Sequence, residues 1–597
     1  MFVTSYMKLS FVRAFDRWLD KGKGSALAWT LSILWLLLIG WFAFFWHLGS
    51  TGLIDETEPL FAEAARQMTV TGDWITPFFN GETRFDKPPL IYWLMAIAYS
   101  TLGVNEWAVR LPSALSAMAL VCLGFYTLHK SGTHSQSTSK FKYRNLLCAG
   151  LGCAMMALNL ETIVWARTGV SDMLLTGCMG GALLCFFLGY AQPLKPAVQV
   201  RWYLAFYVLI ALAVLTKGPV GIVLPVLIIG SFLLYLGNAL VVLREMRLLL
   251  GGILVLAIAL PWYFLVIRAN GWAYINSFFG YHNLERFTST VNHHEGPWYY
   301  HFLVVLLGFA PWSIYLPVAI ARLQFWQRKH WRSSDRSTQL GLFALFWFMG
   351  VFGFFTIAVT KLPNYVLPLM PAAAILVALL WSEEIKVKDR QNPAKFSFFQ
   401  LSGWLNVVFL LAMAGIFFSI PYLLGSDEAV PNLRSYVQQS GLPVLGGVIW
   451  AITAVAGSGL LLRRRWRGFL SVNLLGFVAF LIFGLMPAYF LMDRVRQMPL
   501  RELSAIARAA EPPGEDLIAI GFKKPSVVFY TQRSVTYVRP TKEAVEHIDK
   551  LAARITQPFS VLILVPQKKL DNLGLQPPQY QDLGKAGAYQ LIRVFVF

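Results

Sequence analysis

Acidic side chains are scarce in this chain: 31 aspartates and glutamates stand against 51 lysines and arginines, and charged residues make up only 14% of its 597 positions. With 56% hydrophobic and 15% aromatic residues, that shortage of charge excludes a soluble globular protein. Cysteine is scarce too. All five (Cys122, Cys148, Cys153, Cys178 and Cys185) fall in or beside apolar runs, which leaves no disulfide framework and no CxxC metal pattern. A GxxxxGK[ST] loop and a GxGxxG following a strand are both missing, which disfavours ATP or nucleotide-sugar use.

What the chain has in abundance is apolar runs of membrane-crossing length, about 17–25 residues. We count about thirteen: 26–47, 112–129, 146–165, 173–190, 202–216, 219–240, 248–267, 300–320, 340–359, 365–381, 402–424, 443–462 and 469–490. The first follows a basic segment (Lys8, Arg13, Arg17, Lys21, Lys23) with no cleavage pattern after it, so it reads as an uncleaved anchor. Lys and Arg concentrate in alternate connections, including Lys140, Lys142 and Arg144, then Arg322 to Arg336, and the run Arg463-Arg464-Arg465-Trp466-Arg467. That bias places the N-terminus and those loops inside. The net charge of +20 is therefore a topology signal rather than a nucleic-acid footprint.

An odd number of spans leaves 48–111, 268–299 and 491–597 outside. The chain divides into a cytoplasmic segment (1–25), a transmembrane unit (26–490) and an outer C-terminal part (491–597). In that last part "LRELSAIARAA" and "TKEAVEHIDKLAARI" carry helical spacing, while "DLIAIGF", "SVVFYTQ", "FSVLILVP" and "YQLIRVFVF" read as strands, so a small α/β domain with a partly parallel sheet is expected. The first outer segment instead holds two amphipathic stretches, Pro59–Val70 and Pro89–Leu102, which read as helices lying at the membrane surface.

The unexplained polar residues all fall on the outer side. "STGLIDETEPLFAEAARQM" crowds Asp55, Glu56, Glu58 and Glu63 against the edge of the first span. Helix capping by Asp55 or Thr57, with Glu56 or Glu58 on the helix dipole, accounts for part of that acid. At least one carboxylate is left over, and Asp55 stands open between a capping and a functional role. In "NGETRFDKPPLIYWL" the prolines hold Asp86 and Lys87 on an extended turn before a helix starting at Pro88 or Pro89. Lys87 with Arg84 there reads either as a phosphate site or as a lysine reaching lipid headgroups. "VWARTGVSDMLL" sets Arg167 and Asp172 at adjoining span ends, where Asp172 caps its helix, pairs with Arg167 or serves a site. "LTKGPVGIVLP" places Lys217 in a tight outer connection, and "TKLPNYVLPLMP" brings Lys361 and Tyr365 to another. The loop "GYHNLERFTSTVNHHEGPWYYH" offers His293, His294 and Glu295 as weak divalent-metal candidates.

Taken in order, these blocks resemble the membrane-embedded GT-C glycosyltransferases, in the bacterial branch joining protein O-mannosyltransferase-like enzymes to the aminoarabinose transferases. The resemblance rests on Asp55-Glu56 leading into "PLFAEAARQMTVTGDWITPFFNGETRFDKPPLIYWL", then "NEWAVRLPSAL", "RTGVSDMLL", "LTKGPVGIVLP", "HEGPWYY" and "KLPNYVLP", covering about residues 30–380. It implies a thirteen-span inverting enzyme with juxtamembrane helices in its first outer loop, monomeric, in the bacterial inner membrane. The donor would be a polyprenyl-phosphate sugar and the acceptor a glycolipid, glycan or protein. The family's catalytic aspartate maps to Asp55 and its phosphate-binding lysine to Lys87, while Asp172, Lys217, His293, His294 and Tyr365 map to the cavity. We add Glu56, Arg84, Asp86, Tyr92 and Arg167 as substrate-side residues, and Asp86 with His294 as metal ligands if a divalent ion binds. The chain departs from the aminoarabinose pattern at Thr57, where an Arg is common, and at Asp86, where a Glu is common. Two rivals are a lipid-linked-sugar flippase, for which paired repeats are lacking, and a non-catalytic scaffold, which leaves the outer polar residues unexplained.

Overall fold

The computed structural model describes residues 23–131, 139–285, 296–388, 398–425, 427, 429–511, 515–538, 559–573, 575 and 579–596. Ten of its helices are long and apolar enough to cross a membrane, and two bent pairs raise the number to twelve. The thirteenth predicted span is the Val220–Leu236 helix, 17 residues long, at the short end of the crossing range.

The bends have local causes. Asn159 ends one helix by donating to the Met155 and Met156 carbonyls and starts the next by accepting from the Thr162 N–H at 2.9 Å, so Asn145–Ala157 and Leu160–Ala166 meet at 64°. Between Tyr300–Gly308 and Trp312–Arg322, bent by 111°, Pro311 removes a helix donor. The Ser171–Tyr190 helix is buried along almost its whole length and forms the centre of the bundle, which explains its apolar character on every face.

The two amphipathic stretches of the first outer segment form the Glu58–Thr71 and Leu90–Leu102 helices. The first closes at Gly72, whose φ of +74° suits glycine, and buries Phe61, Ala62, Ala64, Ala65 and Met68. Tyr92 of the second stacks on Phe61 with ring centroids 5.5 Å apart, and the Tyr99 hydroxyl donates to the Ala62 carbonyl at 3.0 Å. Between these helices a two-residue hairpin pairs β1 (Phe78–Phe79) with β2 (Glu82–Thr83) across Asn80-Gly81, both with positive φ, as a tight hairpin turn requires.

The last span does not stop at the membrane edge. Trp466–Ala509 is one 44-residue run of helix, with π-helical turns at Leu481–Leu485 and Asp493–Gln497. Its far end packs Leu500, Leu503 and Ala507 under the C-terminal sheet. That sheet comprises β3 (Leu517–Ile520), β4 (Val535–Val538), β5 (Phe559–Pro566), β6 (Tyr580–Ala586) and β7 (Tyr589–Val596), in the order β4-β3-β5-β7-β6. β3 runs parallel to β4 and β5, and the other pairings are antiparallel. One expectation fails here: "SVVFYTQ" is not a strand but lies in the Pro525–Thr531 helix. Pro525 suits a first helical turn, and a short apolar run does not by itself distinguish the two structures. The expected helix "TKEAVEHIDKLAARI" lies outside the described residues.

Arg110 ties the first outer segment to the bundle. Its buried guanidinium forks onto Glu58 at 2.8 and 2.9 Å and also donates to the carbonyls of Leu48, Thr51 and Gly52. Glu58 accepts further from the N–H groups of Ile54 and Gly169, at 2.8 and 2.7 Å. Replacing Arg110 by Met strands a buried carboxylate, which costs about 3–5 kcal/mol. Arg110→Lys keeps the charge but loses the fork and does not restore stability. Thermal unfolding of the detergent-purified protein checks this: both variants melt below the wild type, and an unchanged midpoint in Arg110→Met removes the pair as the anchor.

Candidate active site

The four carboxylates read from one stretch divide sharply in the folded chain. Glu58 is consumed by Arg110. Glu63 is buried and accepts from Arg66 at 2.8 and 2.7 Å. Thr57 is the N-cap of the Glu58–Thr71 helix without a side-chain capping bond, so capping does not account for the excess acid, and ion pairing does. Glu56 is exposed, with Lys524 at 3.3 Å, a surface pair of small energetic worth.

Asp55 remains, and it faces the C-terminal domain. The Ser526 N–H donates to Oδ1 at 2.9 Å and the Ser526 hydroxyl to Oδ2 at 2.5 Å. Burial raises the carboxyl above its ordinary value, against the lowering pull of these bonds and of Lys524. The segment that carries it is held on each side. The Gly52 N–H donates to Asp493 at 2.7 Å and the Leu53 N–H to the Tyr530 hydroxyl at 2.9 Å.

A second group lies on the turn before Leu90–Leu102. Arg84 donates to one oxygen of Asp86 at 2.8 Å and Lys87 to the other at 2.5 Å. Arg84 also lies over the Phe61 ring at 5.4 Å and beside Tyr92. Tyr92 itself is wholly buried between the two juxtamembrane helices. Two cations around one carboxylate leave the turn net positive. They take one lone-pair direction on each Asp86 oxygen, and His293 and His294 lie outside the described residues. No group of three or more metal-ligating side chains occurs among the described residues.

The third group joins three span ends. Asp172 accepts from Lys217 at 2.5 Å and from Asn364 at 2.7 Å, and Lys217 sits 5.8 Å from the Tyr365 ring. Lys217 is delivered by Gly218, where φ is +79° and an added Cβ would fall 2.6 Å from the Phe278 ring. Asp172 therefore pairs with Lys217 and not with Arg167. Arg167 is buried, with a long 3.5 Å contact to the Ala43 carbonyl and no carboxylate within 4 Å among the described residues. Lys361 donates to the Thr356 and Ala358 carbonyls at 2.5 and 2.7 Å, closing the end of the preceding helix.

The three groups rest on shared packing. One apolar cluster contains Leu53, Phe61, Tyr92, Val170, Leu174 and Phe529, linking the Asp55 segment, both juxtamembrane helices, the Asp172 helix and the C-terminal domain. Sequence reasoning missed three participants: Arg110, Asn364 and Ser526. Arg110 and Asn364 stood inside quoted blocks but drew no attention singly, and Ser526 was hidden by the strand reading of its helix.

Known proteins match the chain in two places and along its length. The family described as dolichyl-phosphate-mannose-protein mannosyltransferase matches residues 86–264, and the C-terminal domain of cyanobacterial RgtA-type glycosyltransferases matches 510–596. An uncharacterised protein of Aquifex aeolicus is 30% identical over 350 residues, 58% of this chain and 72% of that one. The undecaprenyl phosphate-alpha-4-amino-4-deoxy-L-arabinose arabinosyl transferase of Shewanella sediminis is 30% identical over 331 residues, 55% of this chain and 56% of that one. The Pectobacterium carotovorum enzyme of the same name is 29% identical over 73% of this chain and 72% of its own length. The crystal structure of ArnT from Cupriavidus metallidurans bound to undecaprenyl phosphate superposes with a TM-score of 0.72 at 21% identity, over 96% of this chain and 98% of that one, which establishes a shared fold. The chain has the fold of the membrane-embedded ArnT and is similar in sequence to aminoarabinose transferases and, over residues 86–264, to the mannosyltransferase family.

Proposed function

We propose that this glycosyltransferase takes a sugar from a polyprenyl-phosphate carrier and passes it, with inversion, to an envelope acceptor on the outer side of a bacterial inner membrane. The observation that carries the reading is the cationic turn, where Arg84 and Lys87 share one carboxylate at the start of a juxtamembrane helix. A phosphate arriving there competes with Asp86 for two cations already aimed at one point. The donor class is supported by the names of the arabinosyl transferase relatives.

Each group then has a task. Lys87 and Arg84 neutralise the charge that develops on the departing phosphate. Asp55 works at the acceptor: with a hydroxyl it takes the proton as general base, and a carboxyl lifted by burial is the stronger base for it. With a phosphate acceptor no base is needed, and ionised Asp55 orients the acceptor or the sugar. Inversion requires acceptor and leaving phosphate on opposite faces of the anomeric carbon. Asp172, fixed by Lys217 and Asn364 with Tyr365 beside them, is assigned to the sugar, and buried Arg167 supplies a further positive charge for an anionic group. A divalent ion, if one binds at the outer loop, adds Lewis-acid charge, but the steps assigned to these residues do not pass through it.

Reconstituted protein supplied with a radiolabelled polyprenyl-phosphate sugar and an envelope extract moves label into an acceptor. Asp55→Asn lowers transfer by about 10²–10⁴-fold and Lys87→Met by about 10²–10³-fold, with folding intact by size-exclusion profile. Full transfer by Asp55→Asn defeats the assignment, and movement of intact lipid-linked sugar between leaflets without transfer establishes a flippase instead. Orientation is checked separately: in a cysteine-free background, Ser135→Cys is modified by an impermeant thiol reagent only after the cells are opened, whereas Ser440→Cys is modified in intact spheroplasts. The reverse pattern inverts the topology.

A further inference from the structure

We infer that Ser526, supplied by the C-terminal domain, is a positioning residue for the Asp55 carboxylate, which makes that domain a working part of the active site. This rests on the reading of Asp55 as the acceptor-side group.

The geometry separates positioning from docking. Docking of the domain is already secured elsewhere. Asn80, at the hairpin tip, exchanges two hydrogen bonds with the backbone of Val535, at 2.9 and 2.8 Å, extending edge strand β4. Tyr530 bridges the Leu53 N–H and Glu106, at 2.9 and 2.8 Å. Ser526 adds something different, because both its donors go to the two oxygens of one carboxylate, which fixes rotation about the Asp55 Cβ–Cγ bond. Each carboxylate oxygen keeps a second lone-pair direction, so Asp55 remains able to accept from a substrate. Ser526 is almost wholly buried beside the buried side chains of Pro525, Val527 and Val528, so its hydroxyl would be costly there without this partner.

The other charged or titratable groups facing Asp55 are Glu56 next to it, Lys524 on the segment leading into the Ser526 helix, Tyr537 on β4 and Tyr589 on β7. Ser526 alone among these neighbours donates to both carboxylate oxygens. Bonds from it favour the ionised form, so removing the hydroxyl raises the pH at which Asp55 loses its proton.

The test is the pH profile of sugar transfer by the reconstituted full chain. In Ser526→Ala the acidic limb of kcat/KM moves up by about one pH unit. Activity at low pH falls about tenfold, while at high pH the two profiles converge. Ser526→Thr returns the limb to its wild-type place. Asn80→Gly, which weakens docking of the domain at the hairpin and leaves the Asp55 segment alone, leaves the limb where it was. If Ser526→Ala does not fold, Ser526→Cys, a weaker donor of similar size, takes its place with a limb shifted in the same direction. A folded Ala or Cys variant whose limb superimposes on the wild type overturns the inference. A wild-type chain that transfers no sugar instead defeats the proposed function, so the two failures are distinct.

Discussion

The ion pair between Arg110 and Glu58 governs the arrangement of the polar groups around the Asp55 segment. Both side chains are buried, and the guanidinium spends its donors on Glu58 and on three carbonyls of the approaching chain. A pair with so many additional bonds offsets the desolvation that a bare buried ion pair suffers. Its effect is to pin the chain on both sides of Asp55, at Gly52 and at Glu58. Because Glu58 also accepts from the Gly169 N–H, the same pair fixes the turn that leads to Asp172. The Asp55 and Asp172 groups thus owe their relative placement to one carboxylate that reads, in the sequence, as a helix-dipole residue.

From that anchor the surrounding architecture follows as a closed set of contacts. The juxtamembrane helices stack through Phe61 and Tyr92 and carry the Arg84–Lys87 turn. The hairpin between them reaches β4 through Asn80, while the Asp55 segment reaches the next-door helix through Ser526 and Tyr530. The acidic and the basic halves of the site are therefore braced by the same small domain. That domain is mounted in turn on a helix continuous with the last span, so the brace is rigid rather than tethered.

Much of this was legible in the sequence, and the parts that were not share a cause. Run length against hydrocarbon thickness located the long apolar helices among the described residues, because that constraint is local. It did not show that two of them bend, since the bend at Asn159 depends on which carbonyls and N–H groups one side chain reaches. The polar clusters were found as individual oddities, because a charge at a span end is conspicuous by itself. Their pairings were not found: Glu58 with Arg110, Asp172 with Lys217 and Asn364, and Asp55 with Ser526 are tertiary facts. The misread helix shows the limit most clearly. Val527, Val528 and Phe529 fit a buried strand as well as a buried helical face, and only Pro525 at the helix start pointed the other way.

The Asp55–Ser526 contact joins residues 471 positions apart. A chain emerging from the ribosome carries its first span and Asp55 long before the partner serine is made. Helices packed against sequence neighbours fold as they appear, whereas this contact waits for the C-terminal sheet to assemble. The bundle is thus built early and the setting of the Asp55 carboxylate completed late, so an unfinished or truncated chain holds its spans without holding Asp55 in its final place.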